Sequence, residues 1–372
     1  MIIGVPKEIK EDEHRVGIVP SGVRTLRDHG HTVFVERAAG EGCRILDAEY
    51  AEAGAIIVDN NAEIFAQSEM VVKVKEPQEQ EYNLLREGQI LYTYLHLAPA
   101  AELTRALVKR KVIAVAYETI QARDGSLPLL VPMSEVAGRM AVQVGAHFLE
   151  KTQGGRGVLL GGVPGVRRGC VTIIGAGTVG MASAKIAVGL GADVYIIDVD
   201  PRRLAHVDDI FGSRVTTIIS DFDSITFATV NSHLVIGAVL IPGGRAPKVV
   251  TSQMVQKMKP GSVIVDVAID QGGCVETSCP TTHKNPTFLV DEVIHYCVPN
   301  IPGAVARTST FALTNVTLPY AVKIADNGLT TVAGRDEALA KGVNLYKGFV
   351  THENVAQALN YPFTPLHKAM IT

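Results

Sequence analysis

Residues 171–198 read VTIIGAGTVGMASAKIAVGLGADVYIID: an apolar strand, a glycine turn, a small-residue helix and a second strand ending on an acid. Few patterns restrict a fold as tightly. The β-branched run before Gly175 predicts a buried strand, and Gly175, Gly177 and Gly180 open a helix directly after it. In such a unit the first glycine permits the tight turn and the second lets backbone approach a pyrophosphate. The third lets helix and strand pack closely, and the helix N-terminus offers free N–H groups to the phosphates. A glycine triplet alone is a weak signal. Here the strand before it, the helix after it and Asp198 at the expected distance make the stretch a dinucleotide-binding fingerprint. A carboxylate at Asp198 accepts hydrogen bonds from a ribose 2′-hydroxyl and repels a 2′-phosphate, which favours NAD. Arg202 and Arg203 follow closely and would suit NADP; they serve equally well capping a helix or stacking near an adenine.

At 372 residues the chain is long enough for roughly two domains. Hydrophobic residues make up 47%, ample for two cores, and 35 glycines suit an α/β protein with many tight turns. A formal charge of −3 leaves no footprint for nucleic acid or an anionic membrane. Cys43, Cys170, Cys274, Cys279 and Cys297 are scattered and odd in number, which argues against a disulfide framework and for a reduced, cytoplasmic setting. The opening MIIGVPKEIK reads as a strand rather than a signal peptide. Residues 169–184 are apolar, but Lys185 stops them short of a membrane span. The histidines show no HxxxH or HExxH spacing, so no metal site is expected.

Short apolar strands alternate with helical stretches nearly throughout. Strands are predicted at 2–5, 32–36, 55–58, 70–74, 90–95 and 112–117, with helices at 21–29, 48–53 and 101–109 between them. Residues 133–151 predict one long helix with Ser134 as its N-cap, and a glycine-rich stretch follows at 154–169. Beyond the fingerprint, strands are predicted at 216–220, 234–240, 262–270, 287–290 and 295–298, and helices at 308–326 and 355–359. The expected fold is α/β: two Rossmann-like, doubly wound domains with mostly parallel sheets, joined by long helices. Residues 1–128 with 307–372 would form a discontinuous substrate domain, and 129–306 the NAD-binding domain.

Ligands of open parallel sheets bind beyond the carboxyl ends of the strands. The polar residues there are few: Arg15, Lys75, His96, Asp198, Ser220, Asp270 and Asn300. Arg15, within Glu11-Asp-Glu-His-Arg15, is either part of a solvated charged loop or a guanidinium that grips a carboxylate. Lys73 and Lys75 share a strand face and would suit an edge strand; Lys75, last before Glu76-Pro77, is the better ligand candidate. His96 ends an aromatic, apolar strand, where an imidazole serves either packing or proton transfer. Asp270 follows a largely apolar run and precedes Gln271-Gly-Gly273, placing a carboxylate on a sharp turn at a strand mouth. A helix N-cap would explain the acid but not the whole run. Strand ends of two domains facing one cleft would bring these groups to a nicotinamide.

Several longer stretches carry more. They are GVPKE at 4–8 with Arg15, VKVKEP at 72–77, LHL at 95–97, PMSEVAG at 132–138 and QGGRG at 153–157. GAVL at 237–240, DVAIDQGG at 266–273 and residues 308–319 complete the set. With them the chain resembles the alanine dehydrogenase family over essentially its whole length. The resemblance implies reversible oxidative deamination of L-alanine, with NAD and water, to pyruvate, ammonium and NADH. It places Arg15 and Lys75 on the substrate's carboxylate and carbonyl oxygen, His96 as acid/base, and Asp270 as the group that positions water or ammonia. It also implies cofactor contacts from Ser134, Thr178, Val179, Asp198, Arg203, Ser220, Val239 and Leu240. The backbone of Val267, Ala268, Ile269 and Asp270 and that of Val298, Pro299, Asn300 and Ile301 would join them. A family position near 279 can carry an arginine that reaches the cofactor, whereas this chain has Cys279. Family members are typically homohexamers. Rival identities are the soluble NAD-binding component of a proton-translocating transhydrogenase, another amino-acid dehydrogenase, and a non-catalytic NAD-binding protein. The first is disfavoured because Lys75, His96 and Asp270 occur together.

Overall fold

Alternating apolar strands and helices fold into two mostly parallel sheets in the computed structural model, which describes residues 1–239 and 246–371. The chain divides into two compact units, Met1–Met133 with Val305–Thr372, and Ser134–Ala304.

In the first unit β1 (Ile2–Val5), β2 (Thr32–Glu36), β3 (Ile56–Val58), β4 (Met70–Val72), β5 (Ile90–Thr93) and β6 (Ile113–Ala116) run parallel. The second unit holds β7 (Cys170–Ile174), β8 (Asp193–Asp198), β9 (Val215–Ile219), β10 (Leu234–Gly237), β11 (Val263–Asp266), β12 (Thr287–Val290) and β13 (Val293–Tyr296). The chain then returns to the first unit with β14 (Val343–Tyr346) and β15 (Phe349–Val350), both antiparallel to their neighbours.

The strand order is β15-β14-β6-β5-β4-β1-β2-β3 in the first sheet and β12-β13-β11-β10-β7-β8-β9 in the second. Each order reverses once, at β1/β4 and at β7/β10. A crevice opens at such a switch point, where successive crossovers leave in opposite directions. Strands beside the reversals are nearly all apolar, as burial on both faces requires: β4 is MVV and β10 is LVIG, every residue buried.

Several boundaries differ from the sequence expectations, each for a local reason. β4 ends at Val72, yet Lys73 N–H still donates to Tyr92 O at 3.1 Å and Tyr94 N–H to Val74 O at 3.3 Å. Because β4 lies between β1 and β5, Lys73 and Lys75 are not on an edge strand. β11 stops at Asp266, whose side chain accepts from Ala268 N–H at 3.1 Å and starts a short 3-10 turn, Val267–Gln271. Asp270 therefore lies within that turn and not at the strand's end. The long helix spans Val131–Phe148, so Ser134 is inside its first turn and is not its N-cap. The strand expected at 234–240 closes at Gly237, and Leu240 falls outside the described residues. The last predicted strand of the second unit starts and ends two residues early, at Val293–Tyr296. Elements not anticipated include a helix at Asn61–Gln67, capped by the Asn60 side chain, helices at Phe222–Asn231 and Glu337–Gly342, and the β14–β15 pair. Among the described residues no helix is long and apolar enough to cross a membrane.

Lys73 is completely buried, with its ammonium 3.2 Å from Glu8 and 3.0 Å from Glu81. Removing one partner of a buried pair leaves uncompensated charge. Lys73→Met, which strands both carboxylates, is expected to lower unfolding stability by about 3–5 kcal/mol in urea denaturation.

Candidate active site

The first unit's polar cluster sits beyond the carboxyl ends of β1, β4 and β5, beside the strand-order reversal. Arg15 lies on the loop after β1 and is only 2% exposed, so it is not a solvated surface charge. Its guanidinium is gripped from one edge by the equally buried Glu13. Nε donates to Oε1 at 2.6 Å and Nη2 to Oε2 at 2.5 Å, a bidentate fork. Nη1 points at Met133 Sδ, 3.1 Å away. Burial alone would raise the Glu13 carboxyl, but the hydrogen bonds and charge of Arg15 outweigh it and hold the pKa at about 2.

Lys75 follows β4, its backbone fixed on both sides. Its N–H faces Glu8 Oε1 at 3.4 Å, and its carbonyl accepts from Thr93 Oγ1 at 2.9 Å. Glu8 also accepts from Val74 N–H at 2.6 Å, tying the turn after β1 to the one after β4. Lys73 is held by Glu8 and Glu81, and Arg15 by Glu13. Among the described residues, the Lys75 ammonium has no hydrogen bond or ion pair. Burial, and then the neighbouring Arg15 charge, pull its pKa below the ordinary lysine value, with Glu13 opposing.

His96 comes just after β5 with a left-handed backbone, φ 47°, unusual for a non-glycine residue. The Glu118 carboxylate holds that turn by accepting from Leu95 N–H at 3.2 Å and His96 N–H at 2.6 Å. The side chain remains 52% exposed. Its ring lies parallel to Tyr94, centroids 6.0 Å apart, and Nδ1 stands 4.0 Å from Glu118 Oε1. Tyr94 is fixed in turn by donating to Leu129 O at 2.6 Å, and the Arg15 charge acts on its hydroxyl. The fold thus gathers Arg15, Lys75 and His96 at adjacent strand ends. The partners Glu8, Glu13, Glu81 and Glu118 were not anticipated: glutamates in polar loops carry no local signal of burial.

In the second unit the glycine turn occupies the β7/β10 reversal. Gly175 has φ 109°, and a Cβ there would stand 2.5 Å from Ala238 O. A Cβ on Gly180 would meet Gly175 O at 1.8 Å. Gly177, by contrast, has no heavy atom within 4 Å of where its Cβ would be. Two glycines close the turn and the middle one faces open space, as a phosphate cradle requires. The helix Thr178–Gly189 begins there, with Val179 in its first turn. Asp198 ends β8 and accepts from Ala176 N–H at 2.7 Å and Asp200 N–H at 2.8 Å, with Arg203 Nη1 3.6 Å away. Each carboxylate oxygen keeps a lone pair for a further donor. Ser220 follows β9 and donates its N–H to Asp198 O at 2.9 Å. Val239 follows β10, and Val298–Ile301 follow β13, with Asn300 at φ 57°.

Asp266 is a further residue that sequence reasoning missed. Fully buried at the end of β11, it accepts from Cys274 N–H at 3.0 Å and Val275 N–H at 3.1 Å as well as from Ala268. One carboxylate thereby closes the loop that carries Val267, Ala268, Ile269 and Asp270. Among the described residues no cluster of side chains is arranged to hold a metal ion.

Residues 4–137 match the model for the alanine dehydrogenase/PNT N-terminal domain, and 141–353 the one for its C-terminal domain. The chain belongs to the alanine dehydrogenase/PNT family. It is 57% identical over 371 residues to the alanine dehydrogenase of Methanococcus maripaludis, covering 100% of both chains. To alanine dehydrogenase 2 of Staphylococcus aureus it is 55% identical over 371 residues, again covering 100% of each. A solved L-alanine dehydrogenase superposes with TM-score 0.95 at 54% identity, covering 97% of this chain and 99% of that one. A transhydrogenase from Sinorhizobium meliloti is more distant, with TM-score 0.82 and 25% identity over 95% of this chain and 99% of that one. Family membership and fold together imply a nucleotide cofactor and a small-molecule substrate.

The glycine turn separates folding from binding. Gly180→Ala is expected to destabilise the protein, because the new methyl lands on a backbone carbonyl. Gly177→Ala should keep its melting temperature close to wild type yet weaken nucleotide binding by roughly tenfold or more, about 1.4 kcal/mol. Thermal melts alongside calorimetric titration of the nucleotide check both.

Proposed function

We propose that this protein is an NAD-dependent alanine dehydrogenase, interconverting L-alanine with pyruvate and ammonium. The observation that carries this is the charge pattern at the ends of β1, β4 and β5. The Lys73 ammonium is matched by Glu8 and Glu81, while the Lys75 ammonium, near Arg15, makes no ion pair or hydrogen bond among the described residues. Such a half-buried cation near a guanidinium suits a small substrate bearing a carboxylate and an α-carbonyl.

In this reading Arg15 binds the substrate carboxylate and fixes the position of Cα, a proximity effect. Lys75 donates to the oxygen on the reacting carbon and steadies the alkoxide that forms when water adds to the iminium. His96 takes the proton from that water and returns it in the reverse direction. Its left-handed turn and its packing on Tyr94 keep the ring in place while leaving it accessible. Asp270, on the turn closed by Asp266, orients water or ammonia. NAD, when bound, supplies the acceptor for the hydride from Cα.

The residues that would hold NAD are those around the second unit's switch point. Gly175, Gly177, Gly180, Thr178 and Val179 would take the pyrophosphate, and Asp198 the adenosine ribose, with Arg203 beside it. Ser134, Ser220, Val239, Leu240, the Val267–Asp270 backbone and Val298, Pro299, Asn300 and Ile301 would line the remainder. The carboxylate of Asp198 supports NAD over NADP, since a 2′-phosphate would meet a buried negative charge. A substrate unit built from 1–128 and 307–372, a nucleotide unit at 129–306, a homohexameric assembly and a cytoplasmic location complete the proposal.

The purified protein is expected to form NADH from NAD and L-alanine, and to consume it with pyruvate and ammonium. Absence of both reactions would overturn the assignment. His96→Ala and Asp270→Asn should each reduce kcat by about 100-fold or more, with NAD affinity retained in calorimetry. Lost NAD binding would show instead that these residues support the fold.

A further inference from the structure

The proposed reaction uses Arg15 but gives no task to the carboxylate that holds it. We propose that Glu13 is a positioning residue for the substrate carboxylate: it locks the Nε–Nη2 edge of Arg15 and turns the Nη1 corner toward Met133. The inference rests on the alanine dehydrogenase assignment and extends it.

Both groups are buried, and each Glu13 oxygen engages a different guanidinium nitrogen. Glu13 Oε1 also accepts from the Arg15 backbone N–H at 3.0 Å, closing a turn around His14. The Glu13 N–H donates to Lys10 O at 3.1 Å, so the carboxylate stands on a fixed backbone. An arginine side chain otherwise loses about 2 kcal/mol of rotamer entropy when it is ordered. Glu13 orders it in advance, so a small substrate with few atoms of its own does not have to. Arg15 Nη1 lies 3.1 Å from the Met133 thioether, a weak acceptor.

Glu13 has a second effect through charge. The groups acting on the Lys75 ammonium are Arg15, Glu13, Lys10 and Glu76, and Glu8 binds the Lys75 backbone N–H. Arg15 and Lys10 push the proton off, while Glu13 and Glu76 retain it. Without Glu13, Lys75 would release its proton at lower pH, and the grip on an anionic substrate would fail earlier as pH rises.

The test is steady-state kinetics of pyruvate amination and alanine oxidation across pH for the wild type, Glu13→Gln and Glu13→Asp. For Glu13→Gln, KM for pyruvate and for alanine should rise about tenfold or more while kcat changes much less, the signature of lost uniform binding. The basic limb of kcat/KM for pyruvate should move to lower pH. Glu13→Asp, which keeps the charge but not the reach, should raise KM with its basic limb in the wild-type place. A purely structural role would reduce the folded fraction, and with it kcat, and leave KM and the limb untouched; that result overturns the inference. If Glu13→Gln does not fold, Glu13→Asp decides alone, and wild-type KM in that variant overturns it. A wild-type protein inactive with both substrates refutes the assignment itself and is a separate outcome.

Discussion

Charge can be buried in a protein only where it is paired, and the first unit is organised around that constraint. Beyond the ends of β1, β4 and β5 the chain buries Arg15 and Lys73, and it brings Glu8, Glu13 and Glu81 to meet them. Glu8 does more than balance Lys73. Its contact with the Val74 N–H links the loops after two strands adjacent in the sheet but distant in sequence. The Lys75 backbone is held by this carboxylate and by Thr93, while its ammonium makes no ion pair among the described residues. In the proposed reading, the site for a small anion lies beside this paired network.

The second unit meets a steric constraint of the same severity. Its turn after β7 brings backbone so close to backbone that side chains are excluded at Gly175 and Gly180, while Gly177 stays open. Loops on either side are pinned by buried carboxylates that accept backbone N–H groups: Asp198 for the turn itself and Asp266 for the segment carrying Asp270. Both units therefore stiffen the loops beyond their strands with acids drawn from strand ends or neighbouring loops. Rigid support of this kind keeps a reacting geometry from being averaged away.

Much of the architecture was legible before any coordinates. The strands flanking Gly175 and those at 2–5 and 32–36 carry unbroken or alternating apolar runs, and they lie where periodicity places them. Legibility failed where one side chain overrode a run of propensity. Val267 and Ile269 continue an apolar stretch, yet Asp266 caps a 3-10 turn and ends the strand before them. Ser134 has the chemistry of a helix N-cap, yet the helix begins at Val131. The short strands β14 and β15 exist because β6 offers an edge to pair with, information held elsewhere in the chain.

By itself the sequence determined the strand–glycine turn–helix unit, the α/β class and most of the polar residues that follow the strands. Those features depend on consecutive residues: apolar periodicity, a glycine where φ is positive, an acid closing a strand. Tertiary structure decided what each charge does. Lys73 and Lys75 sit two positions apart in a repeated Val-Lys pattern and share a strand face, and in the sequence only the place of Lys75 before Glu76-Pro77 favoured it as the ligand. One is sealed between Glu8 and Glu81 and the other left unpaired among the described residues. Their partners arrive from other loops of the chain, and only packing determines which cation a buried carboxylate can reach.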